Sequence, residues 1–160
     1  MSHGQPLDLH RETVIKDWVD YNGHMNVAFY VLIFDHATDT LLDYIGLDDA
    51  HRGATGDSVF VVEAHVTYEQ EAMEGDALRV TTQVLDSDAK RIHIIHSMYV
   101  GDDDIVVATN EVMILSVNLN TRKTAAFAGP VSERLQTLKS EHAVIPRPPQ
   151  AGRTIGIRRG

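Results

Sequence analysis

One long helical pattern, set among β-prone segments, limits what this chain can fold into. Between Val27 and Ile45 the apolar residues recur at spacings of three and four, which predicts an amphipathic helix with a broad apolar face. Asn26 is a favourable N-cap, and Gly46 is a favourable residue just past a helix C-terminus. We therefore predict one helix over residues 27–45, entered from the polar, glycine-containing loop that ends at Asn26.

Most of the remaining chain has the residue alternation of β-strands. A short β-prone segment precedes the polar loop, and four strands separated by turns follow the helix; the predicted ranges are 13–19, 59–68, 78–85, 92–100 and 105–117. A polar loop is expected at 48–57, and Pro130 predicts a short helix at 131–140. This order predicts an α+β fold in which an antiparallel sheet of five to six strands wraps one long central helix. Because such a sheet has exposed edges, we expect a homodimer or homotetramer.

Length and composition narrow the class of protein. The 160 residues predict a single domain, placed at 1–145, followed by a basic tail at 146–160 that holds four arginines and is expected to be mobile. A net charge of −9 argues against nucleic-acid binding, and the absence of cysteine excludes a thiol nucleophile. We see neither a signal peptide nor an apolar run of membrane-spanning length, so a cytoplasmic protein is expected.

The segment Asp20-Tyr-Asn-Gly-His-Met-Asn26 carries the strongest signal for chemistry. It places a carboxylate, an amide and an imidazole, those of Asp20, Asn22 and His24, just ahead of the predicted helix. The carboxylate is suited to act as a base toward water or as a nucleophile, and the residues leave both roles open. The backbone N–H groups at the helix start are candidates for an oxyanion hole; those named by the pattern are Gly23, Met25 and Asn26. The alternative is that Asp20 and Asn22 only form turn hydrogen bonds.

Two segments together resemble a known family. The run Asp20–Asn26 before a helix, followed by the strand segment Glu63-Ala-His-Val-Thr-Tyr68, resembles the hotdog-fold acyl-CoA thioesterases of the 4-hydroxybenzoyl-CoA thioesterase-like superfamily. In that family an aspartate lies three residues before a glycine at the head of the central helix, as Asp20 and Gly23 do here. The resemblance implies the hotdog fold, an acyl-CoA substrate and Asp20 as the catalytic carboxylate. From the residues themselves we expect no cofactor and no metal ion.

Within this family, three segments together resemble the betainyl-CoA thioesterase branch of L-carnitine degradation. The similarity rests on Trp18–Asn26, Glu63–His65 and Asp86–His93. It implies hydrolysis of betainyl-CoA to glycine betaine and free coenzyme A. A thioesterase for other short or aromatic acyl groups, a non-catalytic acyl-CoA-binding protein and a hotdog dehydratase are the alternatives that the sequence leaves open.

Further residues are candidates for the walls of the pocket. Glu63 and His65 are two apart on a predicted strand and face the same side, either as a catalytic and a substrate-binding residue or as a solvated pair. His93 and His96 are three apart, face opposite sides and cannot share a metal ion from a regular strand. Tyr68 belongs to a set of aromatic candidates for ligand contact that also includes Trp18 and Tyr21.

One pair of adjacent basic residues is a candidate for contact with an anionic ligand. Lys90 and Arg91 lie at the start of a predicted strand in an otherwise acidic chain. They form a solvated turn or, as the family resemblance implies, contact the phosphates of coenzyme A. The chain has no Gly-x-Ser-x-Gly, phosphate-binding loop or His-Glu-x-x-His motif. The sequence therefore favours a thioester hydrolase that depends on a carboxylate.

Overall fold

A computed structural model describes residues 4–160, so residues 1–3 of the predicted domain lie outside the described residues. A 3₁₀ turn at Lys16–Trp18 precedes the first helix. The helices are α1 (Val27–Tyr44), α2 (Asp49–Thr55) and α3 (Gly129–His142). The strands are β1 (Leu7–Thr13), β2 (Asp57–Tyr68), β3 (Ala77–Ser87), β4 (Arg91–Val100), β5 (Val106–Asn118) and β6 (Lys123–Thr124).

The strands form one antiparallel sheet in the order β1-β3-β4-β5-β2, with β6 paired to β5. The strands β1 and β2 are therefore the two edges of the path, and the consecutive strands β3, β4 and β5 occupy its centre. The sheet curls around α1, which contacts β1, β3 and β5. The predicted α+β architecture, an antiparallel sheet of five to six strands around one long helix, is confirmed, and the sheet has six strands.

The helix α1 is held by its caps and by its buried face. The Asn26 side chain accepts a hydrogen bond from the Ala28 N–H at 3.0 Å, and Gly46 adopts a left-handed φ of 91° just past the helix. Ile33, Phe34 and Leu41 are almost completely buried against the sheet. One end of the helix packs in a cluster with Leu78, Val80 and Met98, and the other in a cluster with Val84, Ile92 and Ile94.

The structure corrects two predicted elements. The segment 13–19 is not a strand: the first strand lies earlier, at Leu7–Thr13, where it pairs with β3, and the 3₁₀ turn follows. The predicted loop at 48–57 contains α2, because the Asp48 side chain caps the His51 N–H at 2.9 Å and Gly56 supplies the left-handed φ of 77° that ends the helix. Local caps thus outweigh the weak apolar pattern.

The segment that follows α3 runs against the sheet. The buried Gln150 side chain donates to both carboxylate oxygens of Glu69, at 3.0 and 2.9 Å, and the Gly152 N–H donates to Glu111 at 2.8 Å. Thus part of 146–160 has specific contacts, and the domain boundary at 145 and the mobility of the tail stay predictions. Among residues 4–160, no helix is both long and apolar enough to cross a membrane.

Candidate active site

The turn at Asp20 presents one carboxylate oxygen to solvent at the head of α1. Its Oδ1 accepts the Asn22 N–H at 2.8 Å and the His24 N–H at 3.3 Å, which fixes the side chain over the turn. Gly23, at φ 80°, donates its N–H to the Asp20 carbonyl at 2.9 Å, so the turn depends on a residue that tolerates this backbone conformation. The Asp20 Oδ2 accepts no hydrogen bond from residues 4–160. The same carboxylate therefore combines the turn hydrogen bonds on one oxygen with a second oxygen that has no hydrogen-bond partner among residues 4–160.

Three backbone N–H groups predicted to form an oxyanion hole already have acceptors. Gly23 donates within the turn, Met25 donates to the Ala72 carbonyl at 2.7 Å and Asn26 donates to the Trp18 carbonyl at 2.9 Å. The Val27 N–H, at the first position of α1, has no acceptor in the described part of the chain. The free donor at this helix end is therefore the Val27 N–H. Sequence analysis could have identified it, because the first N–H groups of any α-helix have no acceptor within the helix.

The two other polar residues of the motif have separate surroundings. The His24 Nε2 lies 3.1 Å from the Glu71 carboxylate, and the ring is partly exposed. The backbone of His24 bridges to Met73, which positions Glu71 beside the turn. The Asn22 side chain is exposed and has no hydrogen-bond partner within 4–160. His24 is thus held by a carboxylate, whereas Asn22 is free to contact a ligand.

Aromatic side chains flank the head of α1. Trp18 stacks on Phe29 with the ring centroids 5.7 Å apart and the planes 15° from parallel. Tyr68 packs edge-on against the buried Tyr30 at 5.3 Å, and its hydroxyl reaches the Val27 carbonyl at 3.4 Å. Burial raises the pKa of both tyrosines above the usual value, so both hydroxyls keep their protons at neutral pH. Tyr21, also at the turn, is almost fully exposed (97%) and touches solvent rather than the core.

Glu63 and His65 lie on the sheet face that turns away from α1. Because side chains alternate along a strand, they face opposite to Val66, which packs in the helix-side cluster. They line a cavity of about 350 Å³ with His93 and Glu111, and the tail residue Arg153 closes one side. Within one chain, this cavity is separated from the Asp20 turn by the sheet.

This outer cavity contains a hydrogen-bonded pair. The His93 Nε2 lies 2.7 Å from the Glu111 carboxylate. Burial by itself would raise the pKa of Glu111, but hydrogen bonds from the Gly152 N–H and from His93 hold it below its usual value. His96, three residues from His93, is completely buried on the α1 side, as expected from strand alternation.

Lys90 and Arg91 lie at the opposite end of the molecule from the Asp20 turn. Lys90 lies in the β3–β4 turn and Arg91 is the first residue of β4, where it forms an ion pair with Asp88 and lowers the pKa of that carboxyl to about 2. The adjacent Ile92 packs against the C-terminal part of α1, whereas Asp20 precedes its N-terminus. The 18 residues of α1 span about 27 Å, so one chain does not bring the two sites together.

The fold and this carboxylate turn define the chain as a member of the thioesterase-like superfamily, whose family model matches residues 14–135. The chain is 41% identical to the betainyl-CoA thioesterase of Pseudomonas aeruginosa over 96% of both chains. It is 40% identical to a Rhizobium meliloti L-carnitine dehydrogenase/betainyl-CoA thioesterase, over 96% of this chain and 31% of that longer protein. A Staphylococcus aureus protein solved in complex with CoA superposes with a TM-score of 0.90, at 30% identity and 99% coverage of both chains.

Proposed function

We propose that this protein hydrolyses betainyl-CoA to glycine betaine and free coenzyme A. Membership of the thioesterase-like superfamily and the identity to the Pseudomonas aeruginosa enzyme over nearly the whole chain support this substrate. The observation that carries the chemistry is that two groups without hydrogen-bond partners, an Asp20 carboxylate oxygen and the Val27 N–H, both lie at the head of α1. Hydrolysis of a thioester requires these two functions, which are activation of an attacking oxygen and stabilisation of an oxyanion.

In the proposed mechanism, Asp20 drives attack on the thioester carbonyl. Its free Oδ2 either removes a proton from an attacking water or itself attacks the carbonyl carbon to form an anhydride that water then hydrolyses. In both routes the C–S bond breaks, coenzyme A leaves as the thiol after taking up a proton, and the acyl group leaves as the acid. The Val27 N–H, reinforced by the dipole of α1, receives the negative charge that develops on the carbonyl oxygen.

The role of the Val27 N–H has a direct test. Val27→Pro removes this one donor, and proline is well tolerated at the first position of a helix. Asn26 is already extended, at φ −65° and ψ 143°, as a residue before proline needs to be. We expect Val27→Pro to lower kcat by roughly 10²–10³-fold with an unchanged melting temperature, while Val27→Ala keeps kcat within a few-fold. A proline variant as active as the alanine variant would exclude Val27 as the oxyanion donor.

The acyl group proposed here is a cation, and the site offers carboxylates and aromatic faces to it. Glu71 lies beside His24 at the turn, and the chain as a whole carries a net charge of −9. The proposed ligand-contacting aromatics are Trp18, Tyr21 and Tyr68, since a trimethylammonium group gains roughly 0.5–2 kcal/mol from each aromatic face. His65 and Glu63 stay candidates for contact through a second subunit, because the sheet separates them from Asp20 in one chain.

Betainyl-CoA has a neutral isostere that isolates the effect of charge. In 3,3-dimethylbutyryl-CoA a quaternary carbon replaces the quaternary nitrogen at nearly the same volume. We expect thiol release from betainyl-CoA to have a kcat/KM at least tenfold higher than from the isostere, and higher than from acetyl-CoA or benzoyl-CoA. Equal values for the isostere would contradict recognition of the cation while leaving thioester hydrolysis intact. No thiol release from any ester would favour an acyl-CoA-binding protein.

We also propose a homodimer formed through β2. This strand lies at the edge of the sheet, and on its outer side it pairs with no other strand of residues 4–160. It also carries three consecutive apolar side chains that are each about half exposed, those of Phe60, Val61 and Val62. Pairing with the same strand of a second copy would cover them and continue the sheet. A partner subunit is also the proposed route by which Lys90 and Arg91 reach coenzyme A phosphates. The cytoplasmic location stays a prediction of the sequence.

A further inference from the structure

Three side chains of the types that bind metal ions lie close together where the edge strand β1 packs on α1. The His10 Nε2 lies 2.9 Å from Glu12 Oε2, and the His36 Nδ1 lies 2.8 Å from Glu12 Oε1 and 3.0 Å from Oε2. All three ligand atoms lie within 4.8 Å of one another. Their side chains are 16%, 20% and 38% exposed in the order His10, Glu12, His36, so the cluster opens to solvent on its His36 side. Two imidazoles and a carboxylate thus point at one volume.

The hydrogen bonds of the Thr40 hydroxyl determine which nitrogen of the His10 ring carries a proton. The Thr40 hydroxyl donates its one proton to the His36 carbonyl at 3.1 Å. It must therefore accept from the His10 Nδ1, 3.0 Å away, which places a ring proton on Nδ1. A neutral His10 then presents the lone pair of Nε2 to the Glu12 carboxylate, and two acceptors face each other at 2.9 Å. Either a second ring proton or a bound cation is needed to relieve this repulsion.

We propose that this cluster binds a divalent transition-metal cation of the Zn²⁺ type, with His10 Nε2, the Glu12 carboxylate and His36 Nδ1 as ligands. Imidazole nitrogens and a carboxylate are ligands that Zn²⁺ accepts, and solvent completes the coordination on the open side. Tetrahedral ligands about 2.0–2.1 Å from Zn²⁺ stand roughly 3.3 Å apart, so the present nitrogen–oxygen distances of 2.8–3.0 Å need to grow by only a few tenths of an ångström. The two imidazole nitrogens lie within 4.8 Å of each other. The bond from His10 Nδ1 to Thr40 is the outer hydrogen bond that orients a metal-binding histidine.

The surroundings favour a cation at this place. Asp35 and Asp39 lie on the same helix as His36, and Asp39 is close enough to His36 for their charges to interact. The cluster is distinct from the proposed active site, because His36 is ten residues beyond Asn26, or about 15 Å along α1. A cation here would bridge β1 to α1 and fasten an edge of the sheet. It has no step in thioester hydrolysis, so this inference is independent of the proposed function.

The test uses the untagged full-length chain, treated with EDTA and then titrated with zinc chloride by isothermal calorimetry. We expect one Zn²⁺ per chain to bind at this cluster. Two variants are expected to weaken that affinity by at least tenfold: His36→Gln, at the most exposed of the three ligands, and Glu12→Gln. Melting temperatures in EDTA establish that each variant is folded. For the wild type, Zn²⁺ at about 100 times its Kd should raise the melting temperature by roughly 5–10 °C.

Matched controls come from two other histidine–carboxylate pairs. His51 lies 3.2 Å from Asp57, and His93 lies 2.7 Å from Glu111, but among residues 4–160 neither pair has a third ligand close enough to share a metal ion. His51→Gln and His93→Gln should leave the affinity within twofold of the wild type. Co²⁺ should give visible absorption bands of a nitrogen- and oxygen-coordinated ion in the wild type, lost in His36→Gln. Binding that is unaffected by His36→Gln and Glu12→Gln, or absent in the wild type, would overturn the proposal.

Discussion

The buried imidazole of His96 makes the stability of the fold depend on pH below about 6.5. The ring is completely buried, stacks on Phe34 at 5.9 Å, and is hydrogen-bonded to Thr82 through Nδ1 at 2.8 Å and to Thr38 through Nε2 at 2.9 Å. Burial, and secondarily the nearby His10, lowers its pKa from 6.5 to about 3. Between these two pH values the unfolded chain binds a proton that the folded chain does not bind.

The direction and the size of the change in the free energy of unfolding follow from this difference in proton binding. Because the unfolded state gains the proton, the free energy of unfolding falls as the pH falls below 6.5. The loss reaches about 4 kcal/mol at pH 3 and is about 1 kcal/mol between pH 6 and pH 5. Burial also lowers the pKa of His142, which adds a loss of the same sign. The carboxyls with lowered pKa values, such as Asp88, lose their contribution only below about pH 4.

Urea unfolding followed by the fluorescence of Trp18, the one tryptophan, measures this dependence at a fixed protein concentration. We expect the wild type to lose at least about 1 kcal/mol between pH 6 and pH 5, and His96→Gln to lose about 1 kcal/mol less over the same interval. If His96→Gln does not fold, the ring NMR signals of His96 in the wild type provide the test and should not titrate between pH 7 and pH 5. A pH-independent wild-type stability, or a His96 ring that titrates near pH 6.5, would refute the reasoning.

Three further predictions concern the cap, the edge and the tail. Asn26→Ala removes the acceptor of the Ala28 N–H and should lower the free energy of unfolding by about 1 kcal/mol, whereas Asn26→Asp should preserve it; equal losses in urea would contradict the capping role. Val62→Lys places a charge on the unpaired edge of β2 and should reduce the mass measured by light scattering from dimer to monomer; Val144→Lys, on another exposed site, should not. Gln150→Ala should cost about 1–2 kcal/mol and speed tryptic cleavage of the tail, since it breaks the bonds to Glu69; cleavage at the wild-type rate would argue against docking of the tail.

The elements that sequence predicted well are those with strong local signals. The range of α1 differs from the prediction by one residue at its end, because Asn26 and Gly46 cap a long apolar period. The helix α2 was missed because Asp48–Asp57 is polar and contains Gly53, so its caps were the only signal. The strand β1 was misplaced because its exposed edge position leaves little apolar alternation to read.

The features of the candidate site also differ in how far the sequence predicts them. The turn at Asp20 could be predicted because its residues are adjacent in the chain and precede a recognisable helix. The pairing of His93 with Glu111, and of Glu12 with His36, depends on strand register and on how a strand docks on a helix. Sequence spacing carries no such information for one chain read alone. Asp20 and Arg91 lie at opposite ends of the molecule because of the order in which the strands pack on α1, which the sequence spacing does not reveal either.

The most direct test of the account is the rate at which Asp20→Asn releases thiol from betainyl-CoA. Asparagine keeps the oxygen that accepts the Asn22 and His24 N–H groups, so the turn should persist while the base or nucleophile is lost. Asp17→Asn, the same change in the adjacent 3₁₀ turn, is the matched control. We predict that kcat falls by about 10²–10⁴-fold in Asp20→Asn and stays within a few-fold in Asp17→Asn. A folded Asp20→Asn protein with wild-type kcat would contradict the central claim that this carboxylate drives the hydrolysis.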